Sequence, residues 1–404
     1  MGEVCPMSNN RLRWLKDLDI FLIVVVIAIC AASLLAISSA TRSFDGGSKM
    51  FVIKQGVWMI IGLIAMITLI RIDYRLLIRY VEFGYWAVIV LLCVVFLFPS
   101  VAIETGAYGW IPLPGGANLQ PSEFFKVVFI LMLAKYLANE QEDEQGNVPD
   151  PMRGYLLVTA ASILGVGLIV IEPDLGQTMM LMAIVGTALF VHLPKKWFWA
   201  MFATVLVSVA LFFSATMAYP DQFLGTLKVL ENKGVLDSHQ YNRFFTFIHP
   251  EEDLSDKGYQ VYQAKVAIGS GMMFGKGLYQ GSQTQGNWVP AQHTDFIFTA
   301  IGEELGFVGS VALIFLFFLL LYRIVMNGFA SKDRTGMYIC AMVAGMFTFQ
   351  IFENIGMSLQ LMPMTGVTLP FISYGGSSIL VNFLLIGIVL NVGFRRRKLS
   401  FSNN

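Results

Sequence analysis

Hydrophobic residues recur along the chain in long runs, and short polar segments separate them. Each run approaches the about 20 residues that an α-helix needs to cross the hydrocarbon core of a bilayer. We therefore predict an all-α polytopic membrane protein, a single domain over residues 1–404. Its ten transmembrane helices are expected at about 17–39, 51–71, 83–103, 122–138, 154–171, 176–193, 198–218, 294–322, 336–358 and 374–394.

The composition agrees with a membrane protein. Of the 404 residues, 56% are hydrophobic and 13% are charged, whereas charged residues make up about a quarter of a typical soluble domain. The formal net charge is zero, so charge does not suggest a nucleic-acid partner. The four cysteines have no spacing that indicates a disulfide framework or a metal site: Cys5, Cys30, Cys93 and Cys340.

Lysine and arginine are concentrated in alternate connections between the predicted helices, which indicates the orientation. The short connections on the other face carry only Arg42 and Lys49. An even number of helices puts both termini on one side, and the positive-inside rule makes that side the cytoplasm. We predict a multi-pass protein of the cytoplasmic (inner) membrane. The basic residues are Arg11, Arg13, Lys16, Arg71, Arg75, Arg79, Lys195, Lys196, Lys332, Arg334, Arg395, Arg396, Arg397 and Lys398.

Residues 219–293 form the longest segment without a spanning run, on the predicted outer face. The segment is rich in aromatic and aliphatic residues and contains the glycine-rich run "AIGSGMMFGKGLYQGSQTQGNW". Loops of this length are usually functional or disordered, and this composition disfavours disorder. We predict an ordered extracytoplasmic cap above a cavity between the helices.

Asp295 opens the eighth predicted helix, within "QHTDFIFTAIGEELG". Carboxylates at membrane depth are rare and mark functional sites. We predict that Asp295 is a general base at the mouth of a cavity, with a helix cap as the alternative. Glu303 lies about 12 Å further along the same helix, too far for the pair of carboxyls about 5–9.5 Å apart that glycosidases use. We expect Glu303 and Glu304 to bond neighbouring helices.

Two further clusters carry charges at predicted helix ends. In "QPSEFFK", Glu123 and Lys126 are three residues apart and share a helix face, which favours an internal ion pair. In "EPDLGQT", Glu172 and Asp174 flank a proline with no basic residue nearby in the sequence. These two acids either face water or meet a cation.

Cations and an irregular segment also lie on the predicted outer side. Arg243, Lys257, Lys265 and Lys276 have no role in topology, so they bind a phosphate-bearing ligand or form a solvated surface. The segment "MPMTGVTLPFISYGGSS" puts non-helical backbone at the membrane edge, where it is tolerated if it is packed by protein or lines a wet cavity. The clusters together indicate an outward-facing polar cavity for a substrate with a polar head and a membrane-bound tail.

The motifs "NLQPSEFFK", "EPDLGQT", "YNRFFTFIHP", "HTDFIFTAIGEELGFVG" and "TLPFISYGGSS" together resemble the SEDS proteins (shape, elongation, division and sporulation). The resemblance runs from the second predicted helix to the tenth. It implies a peptidoglycan glycosyltransferase that polymerises lipid II at the outer face of the cytoplasmic membrane, releases undecaprenyl pyrophosphate and works with a class B penicillin-binding protein. The family's essential aspartate corresponds to Asp295, its "QPSEFxK" pair to Glu123 and Lys126, and its loop arginine to Arg243.

These expectations give each candidate residue a role, with Asp295 as the catalytic base. The expected substrate contacts are Arg243, Lys265, His293, Thr294, Gln120 and Ser373. Structural or site-supporting roles are expected for Glu123, Lys126, Glu172, Asp174, Glu303 and Glu304. The resemblance also implies a divalent cation, Mg²⁺ or Mn²⁺, although the sequence shows no complete set of ligands. Ala291 replaces a glutamate that is usual in the family, which puts in doubt any role of that glutamate here.

Within the family, the short chain and the stretches "KQGVWMIIG" and "GIVLNV" are most similar to the elongation members, which maintain rod shape. Division and sporulation members with the same chemistry are alternatives. A lipid II flippase and a scaffold for the transpeptidase are further alternatives. A flippase would need a polar path to the cytoplasmic side, and a scaffold would not need an acid at position 295.

Overall fold

A computed structural model describes residues 18–44, 47–98, 109–113, 117–138, 151–172, 174–193, 195–234, 238–249 and 257–395. Most of these residues are helical. The basic residues Arg11, Arg13, Lys16, Arg396, Arg397 and Lys398, used above to predict orientation, lie outside the described residues.

The helices and one short hairpin follow one another along the chain. They are α1 (Ile20–Ala40), α2 (Gly47–Arg71), α3 (Tyr74–Arg79), α4 (Val81–Val95), β1 (Ile111–Leu113), β2 (Ala117–Leu119), α5 (Pro121–Ala138), α6 (Pro151–Ile171), α7 (Leu175–His192), α8 (Lys195–Ala218), α9 (Pro220–Asn232), α10 (Ser238–Ile248), α11 (Lys257–Ser270), α12 (Ser282–Gln285), α13 (Ile297–Phe329), α14 (Arg334–Ser358) and α15 (Gly376–Phe394). The two strands pair antiparallel, with Pro112 opposite Asn118.

A helix lies in each of the ten segments predicted from the hydrophobic runs. Among the described residues, α1, α2, α7, α13, α14 and α15 are each long and apolar enough to cross a membrane on their own. Helix α4 has 15 residues and so extends about 22 Å, less than the roughly 30 Å of a hydrocarbon core. The protein is therefore a multi-pass helical membrane protein, and its ten crossings stay a prediction.

The apolar core lies around α14 and α15. Helix α15 packs along α2 and also contacts α13, while α14 packs against α13, α7 and α5. Aromatic side chains contribute to this core: Phe371 meets Phe383 of α15 edge to face with ring centroids 5.3 Å apart, and Phe125 stacks on Phe129 along α5 at 5.3 Å. Side chains from both halves of the chain build this core, from Leu22 to Val392.

Charged residues tie the helices together at one end of the bundle. Asp19, which precedes α1, and Arg395, which follows α15, both take part in these ion pairs. Both described ends therefore lie at the same end of the bundle, as an even number of crossings requires. The pairs are Asp19–Arg323 at 2.8 Å, Asp73–Arg395 at 3.2 Å and Arg75–Asp333 at 2.9 Å.

The described residues of the segment 219–293 include helices α9 to α12, and the position of this segment outside the membrane stays a prediction. Helix α11 packs against α13. The loop after α11 lies against a break in α13 at Gly306, whose backbone is not helical (φ 66, ψ −161). Phe307 N donates to Met272 O at 2.9 Å across this contact. A side chain on Gly275 would put its Cβ 2.1 Å from Glu304 O, so the approach requires glycine.

The break at Gly306 interrupts the helix within the span predicted for residues 294–322, and the two glutamates beside it bond different elements. Glu303 is fully buried and accepts hydrogen bonds from Thr284 N at 2.8 Å and Lys276 Nζ at 2.7 Å. Gln283 N donates to the same carboxylate at 2.9 Å. Glu304 accepts from Ser39 Oγ of α1 at 2.6 Å. Both glutamates thus bond neighbouring helices as predicted, Glu304 to α1 and Glu303 to α12.

We predict that Glu303→Gln lowers the stability of the protein. The amide keeps one acceptor oxygen, so its NH₂ group would face either the donors of Gln283 and Lys276 at Oε1 or that of Thr284 at Oε2. Leaving buried donors unsatisfied costs about 1–3 kcal/mol each. Thermal unfolding of the detergent-solubilised protein should therefore begin at a lower temperature than in the wild type.

The matched control is Glu82→Gln. The Glu82 side chain is 53% exposed and pairs with Lys135 at 2.8 Å, and such surface pairs contribute about 0–1 kcal/mol. The control should unfold close to the wild-type temperature. Equal unfolding temperatures for Glu303→Gln and Glu82→Gln would contradict the role given to Glu303.

Candidate active site

A cavity of about 540 Å³ lies at the end of the bundle opposite the ion pairs. The N-terminal ends of α5 and α7, helix α10, the turn before α13 and the segment between α14 and α15 surround it. Most of the residues that line it have polar or charged side chains. The lining side chains that can hydrogen bond or carry charge are Trp110, Asn118, Gln120, Glu123, Asp174, Gln177, Arg243, Thr294, Asp295, Thr365, Thr368, Tyr374, Ser377 and Ser378.

The sequence predicted Asp295 in the first turn of this helix. In the structure, Asp295 lies in the turn before α13. Phe296 is the N-cap residue, and no side chain caps the helix. The helix-cap alternative is therefore wrong for Asp295. Asn354 Nδ2 of α14 donates to Asp295 O at 2.7 Å and fixes the backbone of this turn. Gly366, with a φ of 79°, passes close to the carboxylate: an ideal Cβ there would lie 3.6 Å from Asp295 Oδ2.

The charges around Asp295 come from two other elements. Burial raises the pKa of Asp295 to about 6; the positive charge of Arg243 lowers it, and the negative charge of Asp174 raises it. Burial also raises the pKa of Asp174, with Arg243 acting in the opposite direction. One arginine on α10 therefore faces two carboxylates, one before α7 and one before α13.

Asp174 is held by the start of α7. Its Oδ1 accepts from Gln177 N at 3.0 Å, which caps the helix, and its Oδ2 accepts from Gln120 Nε2 at 3.3 Å. Of the two outcomes predicted for this pair of acids, Asp174 meets a cation, Arg243. Glu172 is buried, and its carboxylate oxygens have no hydrogen-bond partner among the described residues. Burial, and then the charge of Asp174, raise the pKa of Glu172 to about 8.

The ion pair expected from the spacing of Glu123 and Lys126 is present. Lys126 Nζ lies 2.8 Å from Glu123 Oε2, and both side chains are almost fully buried. Gln177 Nε2 donates to Glu123 Oε1 at 2.6 Å. Glu123 reaches the cavity wall, so this pair lies directly behind the site.

The remaining predicted substrate contacts lie at different depths. Thr294 lines the cavity. His293 lies among aromatic rings, and its ring centroid is 5.2 Å from that of Phe44 and 5.3 Å from that of Phe51.

The side chains of Ser373 and Lys265 both bond other residues of the protein. Ser373 Oγ donates to Thr294 O at 2.7 Å, so it supports the turn that carries Asp295. Lys265 lies at the exposed surface, where its Nζ donates to Gln360 Oε1 at 2.8 Å. Substrate contacts by these residues stay predictions.

Several residues in or beside the site were not predicted from the sequence. Asn354 and Glu353 stand in the apolar run "FTFQIFENIGM" of α14, and polar residues at membrane depth are a known sign of a functional site. The signal was therefore present in the sequence. Asn118 and Ser377 carry no such signal, because short loops are commonly polar. They meet only through the fold, with Ser377 Oγ donating to Asn118 O at 3.2 Å.

The described residues do not form a metal site by themselves. Across these parts of the chain, no group of three or more His, Cys, Asp or Glu side chains could hold a metal ion, and Arg243 already faces Asp174 and Asp295. Ala291, in place of the usual glutamate, lines the cavity with a φ of 51° and adds no ligand. The described residues therefore do not fit Mg²⁺ or Mn²⁺ without further ligands.

The chain is similar to known proteins over most of its length. Residues 16–398 match the "Cell cycle protein" family of FtsW, RodA and SpoVE. The chain is 31% identical over 389 residues to a probable peptidoglycan glycosyltransferase FtsW of Trichlorobacter lovleyi, covering 94% of this chain and 93% of that one. It is 30% identical over 396 residues to the peptidoglycan glycosyltransferase MrdB of Escherichia coli K12, covering 98% of both chains.

Solved structures have the same fold. A chain of a peptidoglycan synthase complex that coordinates polymerization and crosslinking superposes with a TM-score of 0.69 at 26% identity, covering 93% of this chain and 97% of that one. RodA of Thermus thermophilus gives a TM-score of 0.63 at 26% identity, with 94% and 98% covered. The chain therefore belongs to the SEDS family of FtsW, RodA and SpoVE, whose members are membrane-embedded peptidoglycan glycosyltransferases.

Proposed function

We propose that this protein polymerises lipid II into glycan strands and releases undecaprenyl pyrophosphate, with Asp295 as the general base. One observation carries the proposal: the Asp295 carboxylate lines a polar cavity and is faced there by Arg243. The wall also offers amides and hydroxyls, such as Gln120 and Ser378, which suit the hydroxyl groups of a sugar. In the membrane, we expect this cavity to open to the outer face and both termini to lie in the cytoplasm.

In this mechanism Asp295 accepts the proton from the 4-hydroxyl of the GlcNAc of an incoming lipid II. The oxygen then attacks the anomeric carbon of the lipid-linked MurNAc at the end of the growing chain, with inversion. A pKa of about 6 leaves Asp295 ionised at neutral pH and close to the optimum for a base that works there. The bond from the anomeric carbon to the pyrophosphate breaks in the same step.

The leaving undecaprenyl pyrophosphate gains negative charge as that bond breaks, and a positioned cation lowers the free energy of the transition state. Arg243 is suited to this role because its guanidinium is fixed: NH1 donates to Thr365 O at 2.9 Å. Its positive charge also lowers the pKa values of Asp174 and Asp295 against the effect of burial, which favours their charged forms. Arg243 thus serves both the base and the leaving group.

We further propose an elongation role like that of RodA, in complex with a class B penicillin-binding protein. The likeness to a synthase complex that couples polymerization and crosslinking supports such a partner.

Polymerisation by the purified protein should accelerate when its cognate transpeptidase is added. The same acceleration by a transpeptidase with an inactivated active-site serine would show that contact, and not crosslinking, is responsible. Equal rates with and without the partner would argue against the complex.

We predict that Asp295→Asn abolishes most polymerisation. The amide keeps the shape of the side chain but cannot accept the proton, and loss of a general base costs about 10²–10⁴ in rate. The assay is glycan formation from purified lipid II in detergent. The control is Asp221→Asn, which alters a side chain that is 93% exposed and should leave the rate unchanged. If Asp295→Asn protein of normal yield polymerises at the wild-type rate, the catalytic assignment fails.

We also predict that charge changes around Asp295 shift the pH dependence in opposite directions. The wild-type rate at low substrate concentration should fall as the pH drops through about 6, because Asp295 becomes protonated. Arg243→Gln removes a positive charge, raises the pKa of Asp295 and moves this limb to higher pH. Asp174→Asn removes a negative charge, lowers that pKa and moves the limb to lower pH.

Initial rates between pH 5 and pH 8 measure these shifts, each expected to be up to about 1 pH unit. Both variants will also change the maximal rate, so the comparison concerns the position of the limb alone. Shifts in the same direction would show that another group controls the pH dependence.

A further inference from the structure

Three polar side chains lie on one face of α14, near its end at the cavity. Gln350, Glu353 and Asn354 follow the i, i+3, i+4 spacing of helical neighbours, and all three are fully buried. Each of them bonds the segment between α14 and α15. Gln350 Nε2 donates to Thr368 O at 2.9 Å, and Asn354 Nδ2 donates to Val367 O at 2.7 Å.

Glu353 is the charged member of this face. Its Oε1 accepts from Thr365 Oγ1 at 2.8 Å, and its Oε2 has no hydrogen-bond partner among the described residues. Within the same residues, no basic side chain forms an ion pair with Glu353. A buried carboxyl without a cation is costly, and an apolar residue of similar size often gives a more stable protein. Global stability therefore does not account for an acid at this position.

The hydrogen-bond partner of Glu353, Thr365, is itself a residue of the site. Thr365 lines the cavity, and its carbonyl oxygen accepts from Arg243 NH1 at 2.9 Å. The next residue, Gly366, passes beside the carboxylate of Asp295. A displacement of Thr365 would therefore move the acceptor that fixes Arg243 and the backbone that borders Asp295.

We propose that Glu353 is a positioning residue, which holds Thr365 so that its carbonyl oxygen fixes the guanidinium of Arg243 in the cavity. The inference rests on the proposed glycosyl transfer. Glu353 itself lies behind the cavity wall and touches no reacting atom. Its contribution is the acceptor oxygen offered to Thr365 Oγ1, and the amide of glutamine can supply the same oxygen.

The test compares substitutions at both ends of this hydrogen bond in the full-length protein. Glu353→Gln keeps the acceptor and should retain most of the lipid II polymerisation rate. Glu353→Leu and Thr365→Val each remove one partner and should lower kcat about 10-fold to 100-fold, as small displacements in active sites do. The double variant should be no slower than the slower single variant, because both changes break the same contact.

Two further measurements separate positioning from general destabilisation. Glu353→Leu should unfold at or above the wild-type temperature, since it removes a buried acid. Hydrogen–deuterium exchange should become faster in residues 365–373 of this variant. The control is Thr348→Val, on the same helix, whose hydroxyl donates to Ala344 O of its own helix at 2.7 Å; it should change neither rate nor exchange.

The inference is wrong if Glu353→Leu polymerises at the wild-type rate, if Glu353→Gln is as slow as Glu353→Leu, or if the effects of Glu353→Leu and Thr365→Val multiply. Unchanged exchange in residues 365–373 would also overturn it. Failure of the wild-type protein to form any polymer would instead refute the proposed function. The exchange experiment needs no substrate, so the two failures are distinguishable.

Discussion

The site depends on one electrostatic arrangement, in which Arg243 faces both Asp174 and Asp295 at the edge of the bundle. Two desolvated carboxylates near each other would take up protons, and a protonated Asp295 could not act as a base. The guanidinium opposes this without removing the effect of burial, so the pKa of Asp295 stays at about 6. Each of the three groups stands on a different element, and the function requires that these elements keep their relative positions.

Two sets of buried hydrogen bonds keep the turn that carries Asp295 in place. On the side of α11 and α12, Glu303 accepts hydrogen bonds from backbone and side-chain donors of α12 and the loop before it. The break at Gly306 lets that loop pack against α13. On the other side, Asn354 of α14 bonds both Asp295 O and Val367 O. Irregular backbone at this depth is stable because protein groups, in place of water, satisfy its polar atoms.

The same logic explains why charged residues are tolerated within the apolar core. Lys126 and Glu123 neutralise each other at 2.8 Å behind the cavity, and Gln177 satisfies the second carboxylate oxygen. A buried pair of this kind contributes little net stability against apolar residues of equal size. The pair lies at the cavity wall, and we propose that it supports the site.

The sequence by itself determined the class of protein, the helical segments and the catalytic candidate. Hydrophobic runs of spanning length predict membrane helices because the bilayer sets their length, and an acid such as Asp295 is conspicuous in an apolar run. The spacing of Glu123 and Lys126 also predicted their ion pair, because helical geometry is local.

Only the tertiary structure decided which distant residues meet. Arg243, Asp174 and Asp295 come from different parts of the chain, and nothing local in their sequences specifies that one cation serves two acids. The break at Gly306 also depends on a loop that approaches from outside the helix. The sequence marks Glu353 as a polar residue in an apolar run, but only the fold shows that its partner Thr365 also bonds Arg243. Periodicity describes each helix separately, whereas the site consists of contacts between helices.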